Sequence, residues 1–259
     1  LQDIFAVQDE IAQKIVTTLK LQLTLMEQGF LVRKRTENLE AYDYALRGVE
    51  LFWRARSEQK REANAQARQM LARAVELDPQ YAEAYAGLSL TYYLDWFFRW
   101  NQPLESLQRA GELAQQAIAL DDSLSFTHSM LGIVHWARKQ HEQAIAEGER
   151  AVALDPNAPD SYVTLGSIYA FAERPKEAID LIEKAMRLNP HYPAWYVHEL
   201  SVAYRIAGQY EEALTHGKRL LTLSPNYGGA HFNLAIIYSE LGRMDEARAE
   251  VATMQRRVP

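Results

Sequence analysis

The chain has 259 residues, 48% hydrophobic and 24% charged, which is the composition of an ordinary folded protein. Its net charge is −6 with both signs interspersed, which excludes the concentrated basic face that nucleic acid requires. With no cysteine, it has no disulfide, thiol nucleophile or thiolate metal site.

No apolar run approaches the roughly 20 residues that span a bilayer, and no signal peptide is evident. A cytoplasmic setting without membrane contact is expected. The chain starts at Leu1 rather than Met and reads as a piece of a longer protein.

Residues 3–28 come first. Val7, Ile11, Ile15, Leu19 and Leu23 recur at helical spacing, and Ile4, Phe5, Ala12, Val16 and Met26 widen the stripe. Asp3 can cap this helix and Gly29 can end it. Two readings stay open: a helix packed against the first helix pair, or a signalling or homodimerisation helix. Arg33-Lys34-Arg35 is a short basic linker that closes an N-terminal segment of residues 1–35.

From residue 36 the chain falls into helix pairs, at approximately 36–79, 82–122, 125–156, 159–190, 193–225 and 228–259. The first pair is degenerate, with helices near Leu39–Arg54 and Ala63–Leu77 and a connecting segment longer than the pattern requires. In the second, Ala110 and Ala117 arrive nine residues late. The extra length falls in an aromatic insertion at residues 93–104 that contains Trp96, Phe97, Phe98 and Trp100. It is read either as rings laid over a neighbouring helix or as an interface anchor. The third and fourth pairs match each other at a shift of 34 residues. Leu131 meets Leu165, Gly132 meets Gly166, Ala144 meets Ala178, and Pro156 meets Pro190. The fifth pair holds one extra residue near Trp195. The sixth ends in a charged helix.

Physical reasons underlie the pattern. Helices that cross closely need a small residue at the crossing, here Gly132 and Gly166 against Ala144 and Ala178. Gly208 and Gly242 suit left-handed helix ends, and Pro79, Pro156, Pro190 and Pro225 stop second helices.

A period of this size with two amphipathic helices per unit resembles the tetratricopeptide repeat family. The match lies on Tyr162, Leu165, Gly166, Tyr169, Ala178, Ile182, Ala185 and Pro190. His128 and His231 depart from it at the first aromatic position, and His135 at the tyrosine. The resemblance implies an all-α fold, a right-handed superhelical solenoid of about six hairpins preceded by one helix. A second resemblance covers about 45 residues, DIFAVQDEIAQKIV through TENLEAYDYALRG. It is similar to the junction before C-terminal tetratricopeptide repeats in bacterial class III adenylate/guanylate cyclases. The same junction occurs in some winged-helix transcriptional regulators. The implied function is a non-catalytic protein–protein interaction module, the regulatory region of a cyclase. A sensor region of a regulator, or a self-association module, is the alternative.

No phosphate-cradling loop or nucleophile elbow is present, and no cofactor or metal is expected. His128 with His135, and His191 with His198, read as packing residues. In this family the first helices line a concave groove. The positions expected there are Tyr93, Phe126, Met130, Ile133, Trp136, Val163, Phe171, Trp195, His198, Arg205, Phe232 and Asn233. Glu83, Ala86, Leu90, Thr164, Val202 and Ile236 accompany them. Relatives that grip acidic C-terminal peptides carry a Lys/Asn/Arg set. The matching positions here are Ser129, Ile133, Thr164, Trp195 and Glu199, so that set is missing. The groove reads as apolar and aromatic, suited to an amphipathic helix or hydrophobic peptide of a protein partner, unless the chain's own termini fill it.

Overall fold

Asn38 begins the first helix. Its side-chain oxygen accepts from the Glu40 and Ala41 amides at 3.1 Å each, satisfying two of the orphan N–H groups of a helix start. The computed structural model describes residues 36–257. The N-terminal helix over 3–28, its linker and any homodimerisation through them lie outside the described residues.

Twelve helices run through the described residues in order. They are α1 (Leu39–Glu58), α2 (Arg61–Leu77), α3 (Ala82–Phe97), α4 (Pro103–Leu120), α5 (Ser125–Ala137) and α6 (His141–Leu154). After them come α7 (Pro159–Phe171), α8 (Pro175–Leu188), α9 (Ala194–Ile206), α10 (Tyr210–Leu223), α11 (Gly228–Glu240) and α12 (Met244–Arg257). Each odd-numbered helix pairs with the next even one, and successive odd-numbered helices touch. The odd-numbered helices therefore form one continuous inner layer and the even-numbered ones an outer layer, an α-solenoid with a shared core.

The turns repeat too. Between hairpins, the amides of Gln80, Ser123, Asn157 and His191 donate to the side chains of Asp78, Asp121, Asp155 and Asn189 at 2.9–3.2 Å. Within hairpins, the residue that reverses the chain has positive φ. It is glycine at Gly208 and Gly242, but Gln59, Arg99, Lys139 and Glu173 hold the same conformation at φ 52–61°.

The irregularities resolve physically. The turn after α8, residues 189–193, has one residue more than the turns after α4, α6 and α10, which accounts for the slip before Trp195. The connection in the first hairpin is not long: only Gln59 and Lys60 separate α1 from α2, and the additional residues lengthen the helices to 20 and 17. Of the nine extra residues in the second hairpin, three lengthen α3, two lengthen its turn and four lengthen α4.

A buried polar knot holds that lengthened hairpin. The Asp95 carboxylate is 2% exposed. It accepts from Asn64 Nδ2 at 2.8 Å, Arg68 Nη2 at 2.7 Å and Asn101 Nδ2 at 2.6 Å. Arg68 also lies 4.0 Å over the Tyr92 ring. Three donors on one carboxylate offset its desolvation.

Glycine marks the crossing points. A methyl group on Gly166 would lie 2.8 Å from Ile182 Cγ1 and 3.0 Å from the Ala178 carbonyl. On Gly48 it would lie 2.6 Å from Leu71 Cγ and 3.3 Å from the Ala67 carbonyl. The equivalence sets α1 in register with α7, so Asp43, Arg47 and Glu50 stand where α7 has Ser161, Leu165 and Ile168. Leu165 packs onto the preceding hairpin, close to Gly148 of α6. On α1 that side has no preceding hairpin among the described residues. Asp43, Arg47, Glu50 and Arg54 are all exposed there, and Asp43 pairs with Arg47 at 2.9 Å. Where α7 presents Leu165 and Ile168, α1 thus presents a polar face.

Candidate partner-binding groove

The inner layer encloses a cavity of about 1140 Å³ that runs from α1 to α12. Most of its wall comes from the odd-numbered helices, and Phe52, Tyr93, Met130 and Trp195 belong both to the wall and to the core. Tyr93, Phe126, Met130, Ile133, Trp136, Phe171, Trp195, His198, Arg205, Phe232 and Asn233 all line it. Several rings are wet: Phe97 is 49% exposed, Phe171 43% and Phe232 58%.

Val163 is a correction. It is fully buried with Leu165, Trp195 and Leu200 in the core shared by α7, α8 and α9. The same holds for Ala86, closed off in the core of the first two hairpins. Ile236 is half-buried and does not reach the wall.

The aromatic insertion divides. Phe97 and Phe98 line the cavity and Trp96 and Trp100 do not, while Trp96, Phe98 and Trp100 all pack half-buried on the core that joins the first three hairpins. Trp96 then begins an aromatic chain along one rim. Its ring lies 6.2 Å from Trp136, and Trp136 lies 5.2 Å from Phe171.

Residues of α1 that the sequence did not single out complete the wall. Val49, Phe52, Trp53 and Arg56 line the cavity from its far side. Trp53 stacks on Trp195 with centroids 6.4 Å apart, and the Arg56 guanidinium lies 4.8 Å over the same ring. The Tyr227 hydroxyl is pushed up to about 12, mainly by burial, against the opposing pull of the Arg56 charge. The first and fifth hairpins therefore meet across the groove.

Polar groups on the wall are mostly engaged with one another. Arg205 Nε donates to Asn233 Oδ1 at 2.7 Å, Asn233 Nδ2 to Ser201 Oγ at 2.8 Å, and Ser201 Oγ to the Ala213 carbonyl at 2.7 Å. Ser167 Oγ donates to Glu199 Oε2 at 2.9 Å. Burial lowers the pKa of Arg205 and that of His198. Trp195 Nε1 and His198 Nδ1 have no hydrogen-bond partner among the described residues. Arg56, Arg99 and Arg205 share the wall with Glu58, Glu83, Asp155, Asp160 and Glu199, so it is not a basic surface.

Two further histidines are held by neighbouring groups. His128 sits between Glu147 Oε2 at 2.6 Å and the Asp122 carbonyl at 2.8 Å, while His135 pairs with Gln140 at 2.8 Å. Among the described residues, no group of three or more His, Cys, Asp or Glu is placed to hold a metal ion. No described helix is long and apolar enough to cross a membrane.

Known proteins agree with the geometry. The profile of the Tetratricopeptide repeat family matches residues 135–197 and 204–259. The Putative adenylate cyclase 3 of Rhizobium meliloti (strain 1021) is 36% identical over 144 residues. That match spans 55% of this chain but 24% of the relative's length. TTC0263, a thermophilic tetratricopeptide protein of Thermus thermophilus, superposes with a TM-score of 0.60 at 18% identity, covering 76% of this chain and 98% of that one. An IFIT1 monomeric mutant with Gppp-AAAA superposes with a TM-score of 0.70 at 17% identity, covering 98% of this chain and 56% of that one. At such identities the structures establish the fold alone. Tetratricopeptide arrays are non-catalytic scaffolds that bind protein or peptide partners. By repeat pattern, hairpin geometry and the profile over residues 135–197 and 204–259, this chain folds as a tetratricopeptide-type α-solenoid.

Proposed function

We propose that this array is the C-terminal regulatory region of a bacterial adenylate/guanylate cyclase, and that its concave groove holds an apolar peptide or helix of a protein partner. One observation carries the groove reading. Exposed rings from α3, α5, α7 and α11 converge on a single enclosed surface while the outer layer presents charge. Exposed apolar patches of that kind mark interaction sites. A partner that covers Trp136 and Phe171 removes two aromatic surfaces from water, at about 25 cal/mol per Å². The cyclase context is supported by the partial match to the Rhizobium relative and by the junction before the first repeat.

Two measurements test this. Partner capture by the wild-type chain is compared with that of Trp136→Ala and Phe171→Ala, and losses of roughly tenfold or more are expected for residues at an interface centre. Undiminished capture by both variants refutes the groove. For the context, cyclic nucleotide production is assayed on the full-length protein and on this array. Activity in the former and none in the latter is expected.

A further inference from the structure

Donors and acceptors on the groove wall are unevenly satisfied. The acids Asp155, Asp160 and Glu199 already accept from the Asn157 amide, the Tyr196 hydroxyl and Ser167, and Glu58 pairs with Lys60. Donors on α1 and α9 are left over. Trp195 is 9% exposed, yet its Nε1, which can only donate, has no acceptor among the described residues. Arg56 and Arg205 are half-buried, and neither forms an ion pair with a carboxylate among the described residues. A half-buried guanidinium without a counter-ion has lost hydration that nothing yet replaces.

These groups gather around His198. Burial lowers the pKa of its ring, and the charges of Arg56 and Arg205 press it the same way, against Glu199. Both guanidinium groups are therefore close to the same ring, and Arg56 also covers Trp195 at 4.8 Å. Two cations and one carboxylate leave this part of the wall net positive.

We propose that the partner segment carries an aspartate or glutamate side chain midway along its apolar face, and that Arg56, Arg205 and Trp195 receive that carboxylate where the first and fifth hairpins meet. The proposal rests on the reading of the groove as a peptide site and names the chemistry of its occupant.

Charge and position select this occupant. A single carboxylate neutralises the excess of one positive charge, and its planar oxygens match the fork of a guanidinium. A phosphate dianion would bring a second negative charge beside Glu199. The site also has apolar wall on both sides of it. Trp136 and Phe171 come from α5 and α7, and Phe232 and Met254 from α11 and α12. A segment that covers both stretches runs past α9 in each direction, so the acid is a side chain within it and not the end of a chain.

The test selects peptides from a random library of about twelve residues, about 18 Å as helices, displayed with both ends fused or blocked. Wild-type chain and the Arg56→Gln/Arg205→Gln variant are panned in parallel, each in full length. Either single variant replaces the double one should that lose its helical circular dichroism. The wild type is expected to enrich apolar and aromatic peptides with one internal Asp or Glu, and the variant to enrich apolar peptides without the acid. Changing the acid of a selected peptide to its amide should weaken binding to the wild type roughly tenfold or more, as for a desolvated charge pair that loses one partner. On the variant the same change should cost no more than about twofold, because the coupled partner is already gone. Apolar enrichment without an acid on the wild type overturns the proposal and leaves the groove reading standing. Equal acid enrichment on both proteins overturns it by placing the carboxylate elsewhere. No apolar enrichment on either protein overturns the groove reading and the proposal with it.

Discussion

Trp53 and Trp195, separated by 142 positions in sequence, lie nearly parallel at a ring separation of 6.4 Å and an interplanar angle of 20°. Nothing local to either helix produces this contact. It arises because five hairpins curve far enough to bring α1 opposite α9, and Arg56 reinforces it from above the same ring. A double-mutant cycle of Trp53→Ala and Trp195→Ala, followed by denaturant unfolding, is expected to give a coupling of about 0.5–1.5 kcal/mol. Additive losses would show that the groove is open in solution.

Glycines on the two sides of the hairpins differ in what they tolerate. Gly166→Ala drives a methyl group into Ile182 and the Ala178 carbonyl, neither of which can yield without moving a helix. A loss of about 1–3 kcal/mol is expected, as for other overpacked sites, and Ala178→Leu falls in the same range. Gly111→Ala meets only the guanidinium end of Arg138. That side chain can swing away, and alanine gains roughly 1 kcal/mol of helix propensity over glycine. Thermal melts should therefore move in opposite directions for Gly166→Ala and Gly111→Ala.

Asp95 is the centre of the lengthened second hairpin. Asp95→Ala leaves Arg68, Asn64 and Asn101 without their shared acceptor, and breaking such a buried pair costs about 3–5 kcal/mol. Chemical denaturation measures the loss. Because the knot holds the end of α3, acrylamide quenching of Trp96 and Trp100 is expected to rise with it. A variant as stable as the wild type would show that the knot contributes nothing net.

Acid should weaken the fold through two histidines. Burial lowers the pKa of both His198 and His216 in the folded state. The unfolded chain then takes up protons first as pH falls below about 6.5. The stability associated with keeping these rings neutral is present above that pH and is lost toward pH 5. Denaturant midpoints measured between pH 7 and pH 5 should decline, and His198→Gln should flatten the decline. An unchanged slope in that variant would assign the effect elsewhere.

The sequence carried most of the architecture because repeats are short-range objects. The 34-residue spacing, the alanines of the second helices and the prolines after them are set by contacts between neighbouring helices, and the hairpins follow them. The extra residue before Trp195 was also legible, as an interval of 35 between Pro190 and Pro225. Groove positions followed from the same register, except Ala86, Ile236 and Val163. One step round the helix separates it from Thr164 on the wall, and that step turns it into the core. Two features were not legible. The contact between Trp53 and Trp195 depends on curvature accumulated over many hairpins. The charged end face of α1 was written in plain letters, but the first hairpin has Arg47-Gly48 where the others have Leu-Gly, Leu-Ser or Leu-Ala. Only the Gly48–Leu71 approach set its register.

Repeat arrays usually gain and lose units freely, since each hairpin touches only its neighbours. The polar end face of α1 is compatible with that freedom, because a unit inserted anywhere behind it leaves the beginning intact. The ring stack between the first and fifth hairpins is not. One additional 34-residue unit between them would carry Trp195 along the stack by about 9 Å, the distance between packed helices, and rotate it away. Such a protein would still fold hairpin by hairpin, but its groove would no longer close on itself. The tryptophan pair therefore acts as a gauge, admitting one number of hairpins between α1 and α9.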